Sequence, residues 1–217
     1  MKTNLFLIAL AALLFTGAKN AAAWQPAGDR IKTRWAADVD PSCPLPEYPR
    51  PALVRDRWLN LNGEWDYAVR SVSEGEPADY DGKILVPFPV ESSLSGVQRE
   101  VGAANALWYR RSFTVPASWK GERILLHFGA VDYEAEVWLN GVKVGSHSGG
   151  YTAFRFDLTP YLTRGEQRLV VRVWDPTDAG PQPRGKQRSK PEAIWYTPVT
   201  GIWQTVWLGP GGVSRSE

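Results

Sequence analysis

One cysteine, one methionine and two histidines among 217 residues leave little material for redox or metal chemistry. Cys43 has no partner for an internal disulfide, so the fold must rest on a hydrophobic core. Set among prolines and without a nucleophile signature, it reads as an inert thiol. His127 and His147 lack metal-ligand spacing, and no cluster of residues calls for a metal or cofactor. "HSGG" at His147–Gly150 is neither a phosphate loop nor a nucleophile elbow, because no helical pattern follows it. Excess charge is missing as well. The formal +2 of the chain falls to zero when Lys2 and Lys19 are set aside with the N-terminal segment that carries them. That balance argues against nucleic acid or an anionic membrane as the main partner. No helix of ordinary length, internal repeat or low-complexity tract can be read.

The sole sustained apolar run, Leu5 to Phe15, is shorter than the ~20 residues that cross a bilayer. It follows the basic Lys2 and precedes the small residues Ala21 and Ala23, the pattern of a secretory signal over residues 1–23. The expectation is an exported chain, periplasmic or extracellular, beginning near Trp24. Residues 24–50 are charged and punctuated by Pro41, Pro44, Pro46 and Pro49, which favour extended chain without ladder donors. They are expected to lie over the domain rather than inside it.

What the sequence holds from residue 51 to 208 is period-two alternation. Ile124, Leu126 and Phe128 share a face, as do Ala135, Val137 and Leu139, then Phe154, Phe156 and Leu158, then Leu169, Val171 and Val173. "GEWDYAV", "KILVPFP", "LWYRRSFTVP" and "GIWQTVWL" add further strands. Repeated alternation predicts antiparallel strands with one buried face each. Asn140-Gly141 between "VWL" and "VKV" is the strongest short hairpin signal, since a type I′ turn needs φ > 0 at both central residues. "LTPYLTRGEQ" is the only stretch with a helical turn. The fold class is therefore all-β, an eight- or nine-stranded jelly-roll sandwich. Eleven tryptophans serve either as core filling or as platforms for sugar faces. Trp138 and Trp174 fall opposite the apolar sets and are expected to form an exposed inter-domain surface.

One segment breaks the rhythm. Asp175 to Ile194 runs ~20 residues without periodicity, and structureless loops beyond ~12–15 residues are commonly functional.

"RPALVRDRWLNLNGEWDYAV", "VPFPVESSLSGV", "LWYRRSFTVP", "VWLNGVKVGSHSGGYTAFRFDLTPYL" and "TGIWQTVWL" occur in the order seen in glycoside hydrolase family 2. They resemble the N-terminal sugar-binding domain of its β-galactosidases, β-glucuronidases and β-mannosidases, over about Pro49 to Leu208. The resemblance implies a galactose-binding-like jelly roll. It implies also an immunoglobulin-like sandwich and a (β/α)₈ barrel to follow, the barrel holding two glutamates for retaining hydrolysis. Neither is present in this sequence. Residues 209–217 are expected to be an irregular tail, either an arbitrary stop or a polar end.

Retaining hydrolysis needs two carboxyl groups about 5–5.5 Å apart across a cleft. Glu134 and Glu136 point the same way along a strand but read as a solvated face. No catalytic residue is assigned. The sugar-binding candidates are Asp175, Glu91, Trp195, Tyr196, Arg184 and Lys186. A carboxylate at Asp175 accepts two sugar hydroxyls, as a matching position does in the family it resembles, or caps a turn, and the following Pro176-Thr177 departs from the family pattern, so both readings stand. Arg184 and Lys186 form a solvated basic loop or dock it against a barrel or polar substrate. Trp195 and Tyr196 stack on sugar or wedge between domains, and Glu91 in "PFPVESS" reaches the same end. The leading expectation is a sugar-binding domain whose partners are a β-linked carbohydrate and a missing or separate catalytic barrel. The alternative readings are a freestanding, non-enzymatic carbohydrate-binding module and an interaction domain for a barrel-bearing protein.

Overall fold

The computed structural model describes residues 24–211. The expected leader and residues 212–217 of the expected tail lie outside the described residues.

The alternating segments form strands in chain order: β1 (Leu59–Asn60), β2 (Gly63–Ser71), β3 (Gly82–Val86) and β4 (Asn105–Thr114). Then come β5 (Arg123–Phe128), β6 (Val131–Asp132), β7 (Glu134–Leu139) and β8 (Val142–Ser148). The series ends with β9 (Phe154–Asp157), β10 (Glu166–Trp174), β11 (Gly201–Ile202) and β12 (Val206–Gly211). Three of these twelve strands in the described residues are only two residues long, β1, β6 and β11, and the other nine are longer. A six-stranded sheet in the order β3-β2-β4-β10-β7-β8 faces a four-stranded sheet in the order β1-β12-β5-β9. Every ladder between these strands is antiparallel.

The core between the sheets is made by the residues the alternation marks. Ile124, Leu126 and Phe128 from one sheet meet Val137, Leu139, Leu169, Val171 and Val173 from the other, all buried. Trp65 stands edge-on to Tyr109 at 6.2 Å between ring centroids. Phe154 and Phe156 pack against the same core from the edge strand. Fully burying one such side chain is worth about 1.5–3 kcal/mol, so this layer carries the fold.

Three expectations need correction. The outer face of the six-stranded sheet is not an open tryptophan surface. Trp108 is buried there with Ala68, Ala106 and Val170, and Tyr80 and Trp138 cover them. Trp138 stacks on Trp108 at 5.7 Å, while the half-buried Trp174 donates from Nε1 to the carbonyl of Ala103 at 2.8 Å. A loop from the chain itself thus covers a face that alternation alone leaves bare. "GIWQTVWL" is also two strands rather than one, because β11 leaves β12 to pair with β6. Finally, β12 continues to Gly211, pairing Gly209, Pro210 and Gly211 with β5, so the ladder passes the expected boundary at residue 208.

The Pro-rich segment is tied down by donors from the sandwich. Asn60 and Asn62 donate to the carbonyls of Leu45 and Pro44, both at 3.0 Å. The Asn140-Gly141 turn has φ of 53° and 83°, as a type I′ turn requires. Asn140 does more than turn the chain. Its Nδ2 donates to Tyr161 O and Gln167 Oε1, and its Oδ1 accepts from Arg168 N. The hairpin tip is thereby fastened to β10 and to the 3₁₀ turn Thr159–Tyr161.

Asn140→Gly keeps the left-handed backbone but deletes three side-chain hydrogen bonds, and should cost about 2–3 kcal/mol. Asn140→Ala should cost about 1 kcal/mol more, because a Cβ without a local polar partner is strained at positive φ. Urea unfolding of the two variants separates the contributions. Equal midpoints for both would remove the backbone part of this account.

Candidate functional site

Four segments converge at one end of the sandwich: the loop after β3, the bend at β6, the Gly149–Gly150 loop, and the long excursion from Asp175 to Thr205. Between Asp175 and Thr200 the long loop contains no strand of its own. Its prolines block ladder formation, and turns such as Ala179 N to Pro176 O at 2.9 Å shape it. A single parallel bridge pairs Gln187 with Tyr196, through Arg188 N to Tyr196 O and Tyr196 N to Lys186 O.

Two cations hold the aromatic pair in place. Lys186 Nζ lies 5.7 Å from the Tyr196 ring centroid, and the Arg188 guanidinium lies 4.4 Å from that of Trp195. Arg188 is fixed in turn by Asp178 at 3.6 Å. Tyr196 remains 63% exposed, whereas Trp195 is half-buried. Arg184 is half-buried as well, with an Nε that finds no acceptor.

Beneath the loop lies a buried polar cluster. Thr200 donates its N–H to Glu91 Oε2 at 2.9 Å and its hydroxyl to Asp175 Oδ2 at 3.0 Å. Asp175 Oδ1 accepts from Thr177 N at 2.7 Å, the side-chain turn that Asp favours two residues ahead. Gln187 donates to Asp132 Oδ2 at 2.8 Å and accepts from Val199 N at 2.6 Å. Glu91, Asp132 and Asp175 are all 3% exposed or less. Burial drives each carboxyl toward its neutral form. Glu91 is pushed up to about 7, chiefly by burial and further by the negative charge of Asp175. Asp132 is pushed up to about 6 by the same two causes, against the donation from Gln187. Asp175 is raised by burial, opposed by its threonine donors.

A groove of about 430 Å³ opens beside this cluster, walled by Pro89, Ser92, Trp195, Tyr196 and Val199, with Glu91 at its base. Glu91 Oε1 has no hydrogen-bond partner. Arg30, from the N-terminal segment, reaches over the groove and donates to Thr197 Oγ1 at 2.7 Å. Of the residues expected to bind sugar, the groove brings together Glu91, Trp195 and Tyr196. Asp175 sits behind it, with both oxygens engaged by Thr177 and Thr200. Lys186 and Arg184 lie on the adjoining loop, Lys186 against Tyr196. Among the described residues Glu91 is the one carboxyl on the groove wall. A lone acid can donate or accept one proton but cannot supply the opposed pair of a retaining hydrolase. Glu136 is engaged elsewhere, by Lys143 and by Arg172 at 3.0 Å.

Asp132, Gln187 and Thr200 escaped the sequence reading. Asp132 lies 41 residues from Glu91 and 43 from Asp175, and Gln187 and Thr200 belong to a loop without period, so no spacing announces them. The one usable hint is Gln187 as a neutral side chain inside an otherwise basic run.

An antiparallel sandwich with its functional loops gathered at one end is a form used by carbohydrate-binding domains. The family model described as glycosyl hydrolases family 2, sugar binding domain, matches residues 45–206. The chain is 37% identical over 165 residues to beta-galactosidase BoGH2A of Bacteroides ovatus, covering 70% of this chain and 18% of that protein. It is 30% identical over 132 residues to a beta-glucuronidase of Paenibacillus borealis, covering 58% and 22%. The solved beta-glucuronidase of Lactobacillus rhamnosus superposes with a TM-score of 0.57 at 25% identity, covering 74% of this chain and 29% of that one. This chain belongs to glycosyl hydrolase family 2, through the family's sugar-binding domain. It spans about a fifth of the length of the curated relatives it matches.

The raised carboxyls set a pH window. A carboxyl with a folded pKa above its unfolded value contributes stability that is fully present below the unfolded pKa. That contribution is lost as pH rises through the folded one. For Glu91 the window runs from the ordinary 4.5 to about 7. The loss should be roughly 3 kcal/mol, taking 1.36 kcal/mol per pKa unit. Urea midpoints should therefore fall between these pH values, and Glu91→Gln should flatten the fall. A Gln variant with the wild-type slope would show that Glu91 is not the titrating group.

Proposed function

We propose that this chain is the sugar-binding module of an exported family 2 β-glycosidase, acting beside a catalytic barrel and performing no hydrolysis by itself. The observation that carries the reading is the groove that sets Glu91 against Trp195 and Tyr196. Glu91, buried beneath the groove, holds the loop through Thr200, while the exposed Tyr196 ring offers an apolar platform to a sugar face and Ser92 and Thr197 supply hydroxyls on the wall. This is the usual division of labour in a small-ligand site, with apolar walls and a few placed polar groups. The relatives bearing the names beta-glucuronidase and beta-galactosidase support a β-linked sugar as the ligand class. The basic residues Arg184 and Lys186 orient the loop and face the barrel or the substrate's polar groups. Asp175 fixes the loop from behind and so positions Tyr196 against sugar. Export follows from the basic, apolar and small-residue sequence of residues 1–23, and the mature chain begins at Trp24.

Titration of the chain with methyl β-galactoside and methyl β-glucuronide, followed by NMR shifts of the Trp195 indole and the Tyr196 ring, tests the site. Binding should be weak, in the millimolar range. Tyr196→Ala should weaken it about fivefold, corresponding to ~1 kcal/mol of lost aromatic contact, while Tyr196→Phe should retain it. Shifts confined to other regions would remove the groove from this role, and micromolar binding would favour a freestanding carbohydrate-binding module. Release of nitrophenol from any β-galactoside, β-glucuronide or β-mannoside by the purified chain would overturn the non-hydrolytic part. N-terminal sequencing of secreted protein should read from Trp24.

A further inference from the structure

A second concave site lies on the outer face of the four-stranded sheet, away from the loop-end groove. Its base is made by outward residues of β5 and β12: His127 stacks on Trp207 with centroids 4.8 Å apart and planes 7° apart. Tyr48 and Trp58 form a wall, edge to face at 5.3 Å. Around this hollow of about 220 Å³ stand Arg50, Arg55, Arg57, Arg123 and Arg155. Two of them are already neutralised, Arg57 by Glu122 and Arg123 by Asp157 at 2.6 Å. Among the described residues Arg50, Arg55 and Arg155 have no carboxylate partner, although Arg50 lies 5.6 Å over the Trp207 ring. They come from the N-terminal segment, the approach to β1, and β9, so three separate parts of the chain bring positive charge to one hollow.

The surroundings register that charge. His127 is pushed down to about 4, first by burial and then by Arg50, Arg155 and Arg55, and its Nδ1 has no hydrogen-bond partner. Guanidinium groups match carboxylate and sulfate oxygens through paired donors, while half-buried aromatic edges suit the C–H face of a sugar ring. The hollow is smaller than the ~300–1,000 Å³ of drug-sized pockets, which fits one or two sugar units. Residues 24–217 carry no net formal charge and so give no long-range field to draw a polyanion.

We infer that this hollow binds an anionic saccharide, its carboxylate or sulfate ester held by Arg50, Arg55 and Arg155 and its ring resting against Tyr48 and Trp58. The full chain should be titrated calorimetrically with trigalacturonate, galactose 6-sulfate, neutral galactotriose, inorganic sulfate and octathymidylate. Saturable binding of trigalacturonate or of galactose 6-sulfate, weakening with added salt, is the expected result, and the stronger of the two identifies the anion. Arg155→Ala and Arg50→Ala should each weaken it about tenfold, as expected for loss of one charge-assisted contact. Lys83→Ala, on the other sheet, should leave it unchanged. In NMR titrations the His127 ring should ionise at higher pH when the saccharide is bound, because the anion offsets the arginine field. Thermal midpoints of the variants separate lost binding from lost folding. Failure of both anionic sugars to bind, equal binding of galactotriose or of sulfate alone, or tighter binding of octathymidylate would each overturn the proposal.

Discussion

The loop end of the molecule depends on Thr200. Its backbone N–H and its hydroxyl reach two carboxyls that follow different strands of the six-stranded sheet, Glu91 after the edge strand β3 and Asp175 after β10. The residue thus closes the long excursion that begins at Asp175, 25 residues away in sequence. Closing a loop of that length costs only slightly more than closing a short one, because the entropy grows with the logarithm of length. What the loop lacks is ladder bonds to repay its ordering, and buried side-chain bonds take their place. The arrangement keeps Trp195 and Tyr196 beside Glu91 without a regular strand beneath them.

That solution places three carboxyls in poor solvent contact. A buried acid is tolerated when it is hydrogen-bonded or neutral, and this cluster uses both remedies. Asp175 receives donors on both oxygens, Asp132 receives Gln187, and Glu91 keeps one oxygen free. The free oxygen is the unusual one. It is closed off from solvent, and the neutral form that burial favours is the state that suits it.

The fold was legible because burial of one sheet face imposes period two, and β5, β7 and much of β10 carry that pattern. Phe128 or Val171 could be assigned to the core from sequence alone. Asn140-Gly141 was legible for a different reason, its backbone chemistry being local. Trp138 and Trp174 were misread because alternation says which face a residue occupies, not what covers that face. Tyr80, which closes it, lies in a loop without any pattern. The site was half legible. Glu91, Trp195 and Tyr196 could be named from their places near strand ends. Asp132, Gln187 and Thr200 could not, because their relation to one another exists only after the strands have paired.

The two concave surfaces follow from the same sandwich by different routes. The loop-end groove is made by irregular chain, so its polar groups are supplied by backbone turns and by carboxyls that fix them. The hollow on the four-stranded sheet is made by regular chain, where every second residue of β5, β9 and β12 must face outward. Outward positions on an exposed sheet are expected to carry scattered charges of both signs. Here they carry the exposed Arg155, the half-buried His127 and a Trp207 that Tyr48 and Arg50 cover, and the chain then adds Arg50 and Arg55 from outside the sheet. A strand cannot avoid presenting its outer residues, but a segment approaching from elsewhere can meet any surface. Its delivery of two further arginines to an already basic face concentrates like charge, which disfavours the folded chain by itself and is relieved by an anion.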